Sequence, residues 1–255
     1  QHVGSPRPQS SISIYGTGDD EFEVQCVGSD DISLEAVNKE RAYREFHPGA
    51  LFVHYGLQYE VRDLHENTER KYIEVQQVSV NERTITRHEK TVHDVDEDRR
   101  IELGDGYSLH AGMATVDINY YEYVRVPIYE HGDTGESTPN PLALDPISIR
   151  TSVMWVELPD NMQEHVMKHV DSDDIIAPSE SAADQGMQSP AEWTFCGGLH
   201  GAEHGMIKLS PLELRIDNSD IGGLSTPYHR ETGCPTWFIH DGIDGGIGFS
   251  HSIYE

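Results

Sequence analysis

The sequence predicts an α+β protein, with an antiparallel, β-rich and barrel-like N-terminal part followed by a mixed helical part that contains a short buried strand. Three observations lead there. Up to about residue 159, short runs of alternating or β-branched residues are separated by Gly, Asp and Asn, the pattern of small strands joined by turns. After Pro159, apolar residues recur at helical spacing. Near the end, "TWFIHDG" has the composition of a buried strand and runs into a glycine turn that feeds a helix.

The elements follow in order. Residues 1–10 are rich in Ser, Pro and Gln and are expected to be a linker. Strands are expected at "SISIYG", "FEVQCV", "ALFVHYGLQYEV" and "KYIEVQQVSV", with Gly56 as a hairpin apex. Further strands are expected at "RTITRHEKTV", "ATVDINYYEYVRVPIYE" and "ISIRTSVMWVEL", with the turn-rich "HGDTGESTPNPLALDP" between the last two. A long twisted sheet or a small barrel would satisfy them all, which defines a β-rich domain over 11–159 and a helical or mixed part over 160–255. That second part opens at "DNMQEHVMKHV", where an Asp or Asn cap precedes Met162, Val166, Met167 and Val170 on one helical face. Residues 171–190 lose their apolar content and read as a mobile loop. A second helix is expected from about Glu192 to Leu209, weakened by Gly197, Gly198, Gly201 and Gly205 and ended by Pro211.

The 255 residues, 36% of them hydrophobic, are enough to bury a sizeable core. The formal net charge is −27, from 45 acidic residues against 18 Lys and Arg, of which only five are Lys. These acids are spread along the whole chain, so no one partner patch explains them; an acidic coat with few lysines fits a salt-accumulating, archaeal habitat. In ~1 M salt the screening length is about 3 Å, so mutual repulsion is quenched and so is most attraction to nucleic-acid phosphate. The chain shows no apolar run near the ~20 residues that span a bilayer and no signal-peptide succession, so it is expected to be cytoplasmic with no membrane contact. Both ends read as cut. Cys26, Cys196 and Cys234 are far apart in sequence and form no C-x-x-C pair, and are expected as reduced thiols.

Three stretches could carry chemistry. "LHGAEHG" places His200, Glu203 and His204 in the order H-x-x-E-H, where two imidazoles at i and i+4 can share a Zn2+ and the Glu could serve as base. The downstream candidates for a third ligand, Glu213, Asp217, Asp220 and Asp241, fall on turns and strands. Close packing through the neighbouring glycines, with the rings hydrogen-bonded inside the core, is the stronger reading. "HDGIDGGIGF" has the strand, glycine turn and helix start that cradle phosphate, but it matches no nucleotide fingerprint and is expected to be a tight turn. Tyr43, Arg44, Phe52, His54, Tyr55, Tyr59 and Arg62 could stack and hold nucleic acid, although most of a small sheet's aromatics must form its core. No nucleophile elbow, kinase set, Cys nucleophile or Walker sequence is present.

Several stretches, in order, resemble the C-terminal region of the MrfA/YprA type of DEAD/DEAH-box DNA helicases. "ERAYREFHPGALFVHYGLQYEVRDL" resembles that family's PGA-hairpin stretch, "RTSVMWVELP" its T-x-A-V-W strand, and "GGLHGAEHGMIKLSPLELRIDNSDIGG" with "WFIHDGIDGGIGF" its zinc-binding accessory domain. The resemblance makes His200, His204, Asp220, Asp241, Gly245, Gly246 and Gly248 signature positions of a scaffold, with no catalytic or cofactor-binding residue among them. It implies an accessory region of an ATP-dependent DNA helicase in DNA repair, with motor domains of the same or a companion chain and single-stranded DNA as partners. ATP with magnesium belongs to the parent motor, and the family's zinc to a cysteine cluster that these residues do not contain, so no cofactor is expected in this chain. A free-standing metal-dependent hydrolase using His200, Glu203 and His204, or a separate helicase-binding partner, are the alternatives.

Overall fold

The structure, a computed structural model, describes residues 21–27, 33–68, 70–128, 138–171, 175, 189–214, 216 and 220–255. The expected linker at 1–10, the strand at "SISIYG" and most of the loop over 171–190 lie outside the described residues. The chain divides into two compact units, residues 1–89 with 118–147 and residues 90–117 with 148–255. The division therefore does not fall at residue 159. Two long strands are drawn on by both units, and the strand ending at Glu157 groups with the helices that follow it.

The first unit is built on strands β1 (Glu21–Cys26), β2 (Ser33–Asn38), β3 (Leu51–His54), β4 (Leu57–His65) and β5 (Tyr72–Val78), with helix α1 (Lys39–Glu45). Their sheet order is β2-β1-β5-β4-β3. β1 runs antiparallel to β2 but parallel to β5. Alternation places Phe22, Val24, Ile73 and Val75 in the core, each fully buried. Helix α1 was not anticipated; it starts where Asn38 accepts the Arg41 amide at 2.8 Å and buries Ala42 and Tyr43 against the sheet. The β3–β4 hairpin turns as expected at Gly56, with positive φ at both Tyr55 (47°) and Gly56 (80°).

β6 (Glu82–Gly104) and β7 (Tyr107–Pro127) are neighbours linked through Asp105 and Gly106, both at positive φ, the geometry of a tight hairpin. β6 runs twelve residues beyond the expected "RTITRHEKTV". Its second half, "HDVDEDRRIELG", is charged and exposed at the edge of the sheet, where charge discourages pairing with another chain. A two-residue β8 (Asn140–Pro141) pairs with β7.

The second unit adds β9 (Ile147–Glu157), β10 (Ile221–Thr226) and β11 (Thr236–Asp241), giving the order β10-β11-β9-β7-β6. Its helices are α2 (Met162–Met167), α3 (Pro190–Leu214) and α4 (Phe249–Tyr254). Helix α2 is shorter than expected, and Asn161 makes no side-chain cap bond. Helix α3 does not end at Pro211: proline forgoes a single amide bond three residues before the last helical position, and the Ser210 hydroxyl donates to the Met206 carbonyl at 2.7 Å. One core gathers Ala111, Met154, Ile221 and Ile239 under Met206, Ile207 and Phe249. Another gathers Leu158, Phe195 and Leu199 under Met162, Val166 and Trp237. α3 is thereby fixed by apolar contacts from both ends of its length.

Candidate functional site

The H-x-x-E-H segment lies mid-helix on α3, and its residues divide in a way that the sequence did not suggest. Glu203 is the buried member, 4% exposed, while His200 keeps 61% of its side-chain surface open and His204 is also exposed. The expectation that the rings serve as internal struts is therefore corrected. So is its supposed cause: a Cβ placed on Gly197, Gly198, Gly201 or Gly205 would meet nothing within 4 Å, so no described backbone approaches the helix there.

The close approach is on the strand side. The carboxylate of Glu203 lies over β10 and accepts the Ser225 hydroxyl at 2.7 Å. A Cβ on Gly223 would sit 2.5 Å from Glu203 Oε1, and one on Gly222 would sit 2.6 Å from the ring of His240. The paired glycines of "DIGG" are there because side chains from both neighbours already fill their space.

Glu203 also accepts from His200 Nδ1 at 3.3 Å. A carboxylate cannot donate, so in this bond Nδ1 of His200 carries a proton, and in the neutral ring that leaves Nε2 as the acceptor. That Nε2 lies 3.0 Å from Nε2 of His204, with the rings edge to face at 4.3 Å between centroids. One ligand atom from each of the three residues falls within 4.8 Å of the others, and among the described residues no other group of His, Cys, Asp or Glu converges in this way. The hydrolase reading needs a third protein ligand. Neither Asp220 nor Asp241 joins the group; the side chain of Glu213 and all of Asp217 lie outside the described residues.

Asp241 has another task. It is fully buried, and its Oδ2 accepts the amides of Ile247 (2.7 Å), Gly248 (2.6 Å) and Phe249 (3.2 Å), while Oδ1 accepts that of Ser250 at 2.8 Å. The glycine turn does form an anion cradle at a helix start, and the chain's own carboxylate fills it. Gly246, at φ 66°, passes so close to β9 that a Cβ would lie 2.7 Å from the Ser152 amide. Gly245 donates its amide to the Arg150 carbonyl, and the Asp220 carbonyl accepts the Gly242 amide. Beside the cradle, His240 is buried; its Nδ1 donates to the Asp241 carbonyl at 2.9 Å and its Nε2 accepts from Lys90 at 3.2 Å. Burial first, and then the Lys90 ammonium, push its pKa down to about 3.

The aromatic and basic set in the first unit separates as alternation required. Tyr43 and Tyr59 are buried and Phe52 stacks on Tyr59 at 5.5 Å. Arg44 is held by Glu40 and Glu45, and Arg62 by Glu60 and Gln76. Tyr55, at the hairpin apex, is the exception at 94% exposed, with His54 edge-on to its ring.

Residues 202–255 match the family described as the MrfA Zn-binding domain. The chain is 22% identical to the ATP-dependent helicase YprA of Bacillus subtilis over 254 residues, which covers 97% of this chain and 29% of that protein. It is 23% identical to the ATP-dependent helicase HRQ1 of Saccharomyces cerevisiae over 212 residues, covering 81% of this chain and 17% of that one. A crystal structure of the DUF1998 helicase MrfA bound to DNA shares its fold, with a TM-score of 0.56 at 21% identity over 97% of this chain and 29% of the other. The chain thus spans less than a third of the length of these relatives.

A zinc-binding family implies a metal, and the thiols present do not suit one. Burial, and then the Glu192 charge, raise the Cys196 pKa, so it stays a thiol. The Cys234 sulfur is within 3.7 Å of the Thr232 and Thr236 hydroxyls, and no described acid or imidazole groups with either cysteine. Residues 202–255 thus match the model of the MrfA Zn-binding domain, and the chain as a whole is similar in sequence to a segment of the ATP-dependent helicases YprA and HRQ1.

Proposed function

We propose that this chain is the C-terminal accessory region of an ATP-dependent DNA helicase acting in DNA repair, which packs on the motor domains and guides single-stranded DNA with no covalent chemistry of its own. The observation that carries this is collinearity: one segment amounting to 29% of YprA matches 97% of this chain, and the same share of the DNA-bound MrfA structure has its fold. ATP and magnesium belong, on this reading, to motor domains in the same polypeptide or a companion. The acidic surface suits a halophilic, archaeal cytoplasm, where DNA is held by local contacts rather than by a basic field. Tyr55 supplies one such contact, since an exposed ring at a rigid hairpin tip can stack on a base at any salt.

The test joins this chain to motor domains from the same genome and measures, in molar salt, ATP-driven unwinding and the affinity for a labelled single-stranded oligonucleotide. Unwinding should depend on the segment, and Tyr55→Ala should weaken binding about tenfold, the worth of one stacked base. Peptide or ester hydrolysis by the chain alone, or unwinding and affinity that survive removal of the whole segment, would overturn the proposal.

A further inference from the structure

The face of α3 that carries His200 and His204 meets the requirements of a metal site, and those requirements are independent of any thiolate. A transition-metal cation needs unprotonated imidazole nitrogens that converge, a buried partner that orients a ligating ring, and room for solvent. Glu203 supplies the second. Held by Ser225 and wedged against Gly223, it accepts from Nδ1 of His200, so that in the neutral ring Nε2 is the lone pair, facing His204. His204 supplies the convergence, its Nε2 being 3.0 Å away. Two nitrogens that bind one tetrahedral zinc at about 2.0–2.1 Å lie roughly 3.3 Å apart, so the rings need move only a few tenths of an ångström. Gly201 and Gly205 supply the room, because a Cβ on either would meet nothing within 4 Å.

We infer that His200 and His204 form a solvent-facing site for a divalent transition cation such as zinc, with buried Glu203 as the carboxylate that orients His200. Without metal, Nε2–H of His204 donates to Nε2 of His200. On binding, the cation takes that proton's place between the two nitrogens, and His204 carries its proton on Nδ1 after exchange with water. Two imidazoles are protein ligands; water or a group from a partner completes the coordination.

A second pair of exposed histidines on the same chain provides the control. His165 and His169 are also four residues apart and meet edge to face at 5.3 Å between centroids, but neither ring is paired with a buried carboxylate among the described residues. Calorimetric titration of the chelator-stripped, full 255-residue chain with zinc alone, in chloride buffer at pH 7.5, should show one saturable equivalent. His204→Ala should abolish it, Glu203→Gln should weaken it 10- to 100-fold as for other carboxylates behind a ligating histidine, and His165→Ala with His169→Ala should leave it unchanged. Ser225→Ala, which loosens Glu203 without removing it, guards against a fold defect in Glu203→Gln and should weaken binding in the same direction. In metal-free protein, nitrogen-15 spectra should show His200 with Nε2 unprotonated. Zinc binding that survives His204→Ala, a binding equivalent that follows the 165/169 pair, or the opposite tautomer at His200 would each overturn the assignment.

Discussion

Two stretches of the second unit both look like chemistry in one dimension and differ in three. The glycine turn after β11 has the strand, loop and helix start of a phosphate cradle; the middle of α3 has the H-x-x-E-H order of a zinc helix. In the first, four amides converge on Asp241, which is fully buried, so the cradle is closed by the chain itself. In the second, the acid is inside and the imidazoles are outside. What separates the two is where the groups lie: the cradle's amides are closed by a buried carboxylate, while the paired rings are bonded to each other at the surface, and residue order cannot report that.

The contrast can be broken in four ways. The largest effect is expected from Asp241→Ala, which strips a carboxylate from four amides in the interior and should cost about 3–5 kcal/mol in denaturant unfolding; a loss below ~1 kcal/mol would mean that water replaces it without penalty. Gly223→Val comes next. It forces Glu203 off β10, and overpacking of this kind should cost about 1–3 kcal/mol, read from the same unfolding midpoint. Acid is third. His240 is held neutral with a pKa of about 3, and His47, in the first unit, is lowered to about 4 by burial and then by the Arg125 charge despite its bond to the Pro48 carbonyl. Both folded values lie below the ordinary 6.5, so the unfolded chain takes up protons first. Stability is therefore complete above about pH 6.5 and falls as pH drops toward 4 and then 3, by up to about 1.4 kcal/mol per pH unit for each ring. A midpoint that stays flat from pH 7 to 5 would contradict this. The smallest effect belongs to the paired substitution His200→Ala with His204→Ala, which should cost metal-free stability only about 0.5–1 kcal/mol, because both rings face water and buried Glu203 loses the His200 bond but keeps that of Ser225.

Much of the fold was legible because it follows from alternation and turn chemistry. The β3–β4 hairpin, β5, β9 and the β11 strand with its glycine turn stand where period-two patterning and Gly56 or Gly245 put them. The missed elements share a cause. The second half of β6 is too charged to read as a strand, and its pairing with β7 overrides local preference; Asp105-Gly106 was the signal that could have revealed it. β10 reads "IGGLST", a poor strand on propensity, because its glycines answer to Glu203 on α3 and to His240 on β11. Helix α1 is only seven residues long and depends on its Asn38 cap and on burial of Tyr43. In the H-x-x-E-H segment, the expected burial of the rings is the reverse of what the structure shows: Glu203 is buried and His200 and His204 are exposed. The glycines around the motif suggest close packing and buried rings; it is Ser225, twenty-two residues on, and the room beside Gly223 that take the carboxylate in and leave the rings out.

The most direct test of the contrast between closed cradle and open pair is a single set of nitrogen-15 spectra of the metal-free chain, recorded with added inorganic phosphate and then with zinc. The amides of residues 247–250 should be protected from exchange and unmoved by either addition, while the His200 and His204 ring signals shift with zinc. Amide signals that move with phosphate, beside ring signals that ignore zinc, would contradict the assignment of both regions.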